Sequence, residues 1–360
     1  MRTIYDLTLK QMEEMLADKG QKSYRAKQLY AWLYRKQVSS FDEMTDLPAA
    51  LISELKNEYC LMPVTLAEKQ IARDLTAKYL FELQDGSTIE SVLMHFSFGE
   101  SVCVTTQVGC SMGCTFCASG LLKKQRDLTT GEIVGQIMYI QKELAAEGKR
   151  VDNVVVMGTG EPFDNYDNVM DFCRVINSDH GLGIGARHIT ISTCGIIPKI
   201  RAFAAEHVQY NLAISLHAPT DELRTRLMPV NRAYPLAELM QALHQYSEEN
   251  HRRLTFEYIL LKGVNDADDQ AKMLADLVRG MNAYVNLIPY NEVDENGYHS
   301  TDDRTALHFY DVLMKTASRQ RCGPVTGKTS MQPADSCGQS MKGTDRINEI
   351  LRDYRPRETA

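Results

Sequence analysis

The chain has 360 residues, 44% hydrophobic and 24% charged, with a formal net charge of −7. No apolar run approaches the ~20 residues a membrane span needs, and the first ten residues are mixed and polar, so a cytoplasmic protein without a signal peptide is expected. The acidic balance argues against a protein that coats nucleic acid; any such binding needs a local basic patch. Nine cysteines in such a chain read as reduced thiols kept for metal or catalysis.

In chain order, residues 1–65 read as helical. Leu7–Met15, Ala26–Arg35 and Leu47–Glu58 carry apolar residues at three- and four-residue spacing. Lys19, Lys22, Arg25 and Lys27 form a basic cluster there, either a solvated face or a phosphate-contacting patch. Further on, Lys78–Leu83, Thr88–Met94 and Val102–Val108 read as strands. Thr130–Glu147 reads as a helix, Asn153–Met157 as a strand, Tyr166–Asn177 as a helix and His188–Ser192 as a strand. Gln209–Ser215, Leu254–Leu260 and Tyr284–Pro289 are further strands, and Leu236–Glu249, Asp266–Arg279 and Thr305–Met314 further helices. About six βα units imply a parallel sheet covered by helices, a full or partial βα barrel with its chemistry at the C-terminal ends of the strands.

Residues 109–117 read Gly-Cys-Ser-Met-Gly-Cys-Thr-Phe-Cys, directly after a strand. Cys110, Cys114 and Cys117 can each ligate one iron of a cubane cluster and leave the fourth iron open to a ligand. The competing reading is zinc, but a structural zinc site takes four ligands, and His95, the nearest candidate, sits on a strand. Other strands also end in polar or glycine-rich residues: Gly158-Thr159-Gly160-Glu161-Pro162, Ser192, Ser215-Leu216-His217 and Pro289-Tyr290-Asn291. Each alone reads as a turn or cap. Together at one mouth they suit a cofactor, with the carboxylate of Glu161 set to hold an ammonium group.

Cys103–Cys110, Gly158–Pro162, Ala186–Thr190, Leu212–Pro219 and Val285–Pro289 together resemble the RlmN/Cfr-type radical-SAM RNA methyltransferases, and the likeness runs from near the N-terminus to about Lys315. The resemblance implies a mixed α/β fold, a partial (β/α)6 TIM-like radical-SAM barrel with a small N-terminal helical domain. It divides the chain into an RNA-contacting helical domain (1–65), connecting strands (66–95), the catalytic barrel (96–315) and a tail (316–360). It implies a [4Fe–4S] cluster on Cys110, Cys114 and Cys117, and S-adenosylmethionine bound by Gly160, Glu161, Ser192, Ser215, Leu216, His217 and Asn291. It assigns Cys103 as resolving thiol, in a disulfide formed during turnover, and Glu90 as proton acceptor. A methylated cysteine near the C-terminus carries the methyl group to C2 of adenine in 23S ribosomal RNA and tRNA. A reducing electron donor such as flavodoxin and a monomeric, membrane-free enzyme complete the expectation. Lys19–Lys27 and Lys123-Lys124-Gln125-Arg126 are the RNA-contact candidates. The alternatives are C8 methylation, as in the Cfr branch, and a non-catalytic cluster- or zinc-binding RNA protein. Cys60, Cys173 and Cys322 match no functional position.

The tail departs from the family pattern GxDIDAACGQL. Cys337-Gly338-Gln339 is present, but its surroundings differ and Ala317–Lys328 is unpatterned. Synonymous codons for Thr316–Gly343, read one base over, can spell NGIQATVRSRHGKDIDAACGQLRAEHEG, a good family ending whose cysteine falls across the Pro333 and Ala334 codons. A reading-frame slip after Lys315 is therefore one reading, and it implies a homologue that holds cluster and cofactor yet fails to methylate RNA. The other is a divergent tail in which Cys337 carries the methyl group.

Overall fold

The computed structural model describes residues 2–319. The described chain divides into two compact units, one of residues 2–109 with 124–191, the other of residues 110–123 with 192–319.

The first unit opens with β1 (Arg2–Thr3), α1 (Leu9–Asp18), α2 (Tyr24–Tyr30), α3 (Ala49–Glu58) and β2 (Tyr59–Cys60). A capping box starts α1, with Thr8 Oγ1 accepting from Gln11 N and Gln11 Oε1 accepting from Thr8 N. The helix expected over Ala26–Arg35 is α2 running into a π-turn over Ala31–Arg35. Three buried tyrosines, Tyr5, Tyr30 and Tyr34, pack together beneath these helices.

The sheet of this unit takes in β3 (Val64–Ile71), β4 (Ala77–Leu83), β5 (Thr88–Phe96), β6 (Gly99–Cys103), β9 (Val151–Val156) and β10 (Ile189–Thr193), in the order β10-β9-β6-β5-β4-β3. Strands β3 to β6 form an antiparallel meander, whereas β6, β9 and β10 run parallel. The long strand expected over Val102–Val108 is split into β6 and a separate β7 (Gln107–Val108), which pairs with β8 (Arg126–Asp127). The interruption has a cause: Thr105 N donates to the side chain of Gln136 at 2.9 Å, and Gln136 Nε2 returns a bond to Thr105 O at 3.0 Å. The amide side chain replaces the strand ladder there. Gln136 comes from α4 (Thr130–Ala146), which Thr129 and Glu132 cap reciprocally, and α5 (Tyr166–Asn177) packs beside it.

The second unit contains β11 (Asn211–Ser215), β12 (Leu254–Leu260) and β13 (Ala283–Pro289), all parallel, in the order β13-β12-β11. Its helices are α6 (Ile197–Ala205), α7 (Asp221–Leu227), α8 (Leu236–Asn250), α9 (Asp268–Leu277) and α10 (Asp303–Arg319). Among the described residues the parallel strands therefore number three in each unit, the count of βα repeats read in the sequence. No helix of the described residues is long and apolar enough to cross a membrane.

Candidate active site

In the second unit the cysteine loop is folded back on itself by its own backbone. Cys110 N donates to Leu122 O at 2.9 Å, Cys117 N to Cys114 O at 3.2 Å and Gly120 N to Cys117 O at 3.0 Å. Thr115 N ties the loop to the end of α7 through Leu227 O at 2.9 Å. Gly113 has φ +67°, a conformation costly for any residue with a Cβ. At Gly120 the constraint is space: an added Cβ would stand 2.5 Å from the Cys114 carbonyl oxygen. The three cysteines are half-buried, and Cys114 and Cys117 edge an apolar core of Phe116, Cys194, Leu227, Met228, Ile259 and Tyr290. Tyr290 donates its hydroxyl to Phe116 O at 3.1 Å, and Phe116 meets the His217 ring edge-to-face with centroids 4.9 Å apart.

His217 is fully buried at φ +55° and accepts from Ile259 N through Nδ1 at 3.1 Å. Burial, with the charge of Arg224 adding to it, pushes its pKa down to about 3, so the ring is neutral. Asn265 Nδ2 donates to His217 O at 2.8 Å, fixing the turn after β11. Ser192 Oγ lies 3.4 Å from Ser215 Oγ, so two of the expected cofactor residues meet at the ends of β10 and β11.

Arg224 belongs to no motif legible in the sequence. Its side chain, on α7, is completely buried. Nη2 donates to Cys194 O at 2.6 Å and Ser215 O at 3.4 Å, and Nη1 to Asn231 Oδ1 at 2.8 Å. Nε is buried without a partner.

In the first unit Cys103 ends β6, Glu90 lies near the start of β5, and Gly160 and Glu161 follow the end of β9. Lys78, Val92 and Cys103 stand opposite one another across β4, β5 and β6, so they and Glu90, two residues along β5, share one face of the sheet. Cys103 is buried. Lys78 Nζ is 3.2 Å from Glu90 Oε1. Burial raises the carboxyl pKa of Glu90, and Lys78 pulls it back down. Thr105 Oγ1 donates to Glu90 O at 2.6 Å.

Gly160 has φ +109°, and a Cβ there would lie 2.7 Å from Gln107 Cβ. Gln107 accepts from Glu161 N at 2.9 Å and donates to Asp127 at 2.7 Å and Asp164 at 3.0 Å. Glu161 is buried and accepts from Phe163 N at 2.9 Å, capping the turn Pro162–Asn165. Gln107 stands in the Cys103–Cys110 stretch that carries the family likeness, but its bonds to Glu161, Asp127 and Asp164 were not legible there, because a neutral amide names no distant partner.

The basic run 123–126 is largely consumed within the protein. Lys124 pairs with Asp127 at 2.8 Å and Asp164 at 2.7 Å, and Arg126 with Asp85 at 2.6 Å and Glu132 at 2.8 Å. Lys19 likewise pairs with Glu54 and Glu58, whereas Lys22 and Lys27 are exposed.

These residues fit a cluster better than zinc. Among the described residues no three His, Cys, Asp or Glu side chains converge as a single ion requires. A cubane takes each thiolate on a different iron, which suits three cysteines spaced along a curled loop. The buried guanidinium of Arg224, with one N–H unpartnered and on the helix whose Leu223 and Leu227 meet the apolar core at Cys114 and Cys117, suits an anionic group there. The seven cysteines among the described residues form no disulfide. The disulfide expected for Cys103 is therefore not found there, and the proposed methyl carrier Cys337 lies outside the described residues.

Comparison with known proteins bears on this site. Residues 3–61 match the ribosomal RNA large subunit methyltransferase N-terminal domain, and residues 104–275 the radical SAM superfamily. The chain is 54% identical over 318 residues to a probable dual-specificity RNA methyltransferase RlmN from Streptococcus equi subsp. equi, covering 87% of this chain and 88% of that protein. It is 55% identical over 318 residues to the corresponding protein of Enterococcus faecalis, covering 87% and 89%. A crystal structure of a radical SAM methyltransferase from Sphaerobacter thermophilus superposes with TM-score 0.84 at 42% identity, covering 88% of this chain and 93% of that one. Membership of this superfamily implies a [4Fe–4S] cluster and S-adenosylmethionine. The chain belongs to the RlmN-type radical-SAM RNA methyltransferases, enzymes of mixed α/β fold.

Proposed function

We propose that this chain methylates C2 of an adenine in 23S ribosomal RNA, at the peptidyl-transferase centre, and in tRNA, through a methylcysteine carrier. The dual-specificity description of the relatives supports two RNA substrates. The observation that carries the reading is the shared face of Glu90 and Cys103, which sets a carboxylate and a thiol together on one sheet. Adenine C2 is not nucleophilic, so polar methyl transfer fails there and radical chemistry is needed. Cys110, Cys114 and Cys117 would hold the cluster, which would supply the one-electron reduction of S-adenosylmethionine that radical chemistry needs.

The chain's own residues do the rest. Gly160, Glu161, Ser192, Ser215, Leu216, His217 and Asn291 would hold the cofactor, Glu161 supplying a carboxylate for its ammonium group. Glu90 accepts the proton lost from the methylated base. Cys103 as thiolate attacks the carrier sulfur; the S–S bond forms as the carbon–sulfur bond to the base breaks, and the released carbon takes up a proton to complete the methyl group. Cys337 is the carrier in this chain. The enzyme works in the cytoplasm as a monomer, with a low-potential donor such as flavodoxin.

The test is anaerobic reconstitution with iron and sulfide, followed by assay on unmodified ribosomal RNA fragments and tRNA with mass spectrometry. The expected products are 2-methyladenosine and 5′-deoxyadenosine. The 8-methyl isomer would assign the chain to the other branch. 5′-Deoxyadenosine without methylated RNA would mark the tail as defective, and absence of both would overturn the cluster assignment.

A further inference from the structure

Arg224 presents a problem in electrostatics. A guanidinium keeps its charge when buried, and an uncompensated buried charge is strongly unfavourable. Among the described residues no carboxylate pairs with it. Asp221, one turn earlier on α7, is engaged elsewhere: Asp221 Oδ1 accepts from Asn231 Nδ2 at 2.7 Å and from Leu236 N at 2.8 Å. Asn231 thus stands between the acid and the guanidinium, giving its carbonyl oxygen to Arg224 and its amide hydrogens to Asp221. The remaining acceptors of Arg224 are two neutral backbone carbonyls at the ends of β10 and β11.

The surroundings show which way the charge acts. Leu223 and Leu227, beside Arg224 on α7, belong to the apolar core that also takes in Phe116, Cys114 and Cys117. Leu227 O holds the cysteine loop by Thr115 N. Cys194, whose carbonyl accepts the shortest guanidinium bond, lies in that core as well. Burial lowers the pKa of Arg224, and the side chains of Cys194, Cys114 and Asp221 raise it again. A cubane with three thiolates is anionic and gains one more negative charge on accepting an electron. In a dry core a fixed cation near it favours that reduced state.

We propose that Arg224 is a positioning residue whose buried charge raises the reduction potential of the cluster held by Cys110, Cys114 and Cys117, easing entry of the single electron from the donor. Its three bonds to the ends of β10 and β11 and to Asn231 hold that charge in place. This inference rests on the cluster assignment above.

The test is a redox titration of the reconstituted full chain, with dithionite as reductant and the reduced-cluster EPR signal as readout. Arg224→Gln should make reduction at least tenfold harder, about 59 mV more negative for one electron. Arg224→Lys keeps the charge and should stay close to the unsubstituted protein. A second variant leaves the core filled: the exchange Asp221→Asn with Asn231→Asp moves the carboxylate next to the guanidinium at constant net charge. It should lower the potential in the same direction. If Arg224→Gln or the exchange variant titrates with the unsubstituted midpoint, the inference is overturned; a variant that fails to fold leaves the other to decide. If the unsubstituted protein itself yields no cubane signal, the cluster assignment fails instead.

Discussion

Lys78 and Glu90 face each other 3.2 Å apart on neighbouring strands, each about a quarter exposed. A proton acceptor must be ionised, and burial alone holds the Glu90 carboxyl toward its neutral form. Lys78 counters this. If Glu90 acts as base, activity rises with pH as its carboxyl ionises, and loss of the ammonium group moves that rise to higher pH. Lys78→Met should therefore shift the acid limb of the pH–rate profile to higher pH, with Lys78→Arg restoring it. An unmoved limb would separate the ion pair from catalysis. Glu90 could be named from its family match, but Lys78 could not, because alternation in a strand gives no partner across the sheet. The same holds for Arg224, whose surroundings come from residues 7 to 30 positions away.

The cysteine loop was the most legible element, because three thiolates at that spacing have few uses. The separate constraints on two of its glycines were not legible. Gly113 is required by its dihedral angle and Gly120 by the Cys114 carbonyl. Gly120→Ala forces that carbonyl aside, an overpacking cost of about 1–3 kcal/mol. Iron incorporated on reconstitution should fall while far-UV circular dichroism stays unchanged; full iron content would show that the loop yields easily. Other elements were misjudged for physical reasons. Strand β3 was missed because most of its side chains are exposed, leaving no alternation to detect. The strand read through residues 102–108 breaks at Thr105 because a distant glutamine takes over the ladder.

At the scale of the whole molecule, helical N-terminal residues, a strand meander and six parallel strands follow the order read from the chain. The tail is where sequence and family part. Replacement of residues 316–343 by the one-base-shifted string should produce RNA methylation at least tenfold above that of the present chain, measured by mass spectrometry. Equal methylation by the two forms would make Cys337 as good a carrier as the family cysteine, and no methylation by the present chain would remove Cys337 as carrier. Resequencing the gene is the independent check: codons unable to spell the shifted string exclude a slip.

The internal pairing of Lys124 and Arg126 bears on how this enzyme meets a polyanion. Each cation already neutralised by a carboxylate displaces no counterion when RNA arrives, so the run 123–126 offers about one phosphate contact, through Lys123, rather than three. In a plot of log affinity against log salt, Lys123→Gln should flatten the slope by about 0.9 or less. Selection of the target would then depend more on the folded shape of the RNA than on charge density, and would tolerate an ionic strength that strips less discriminating basic proteins from their ligands.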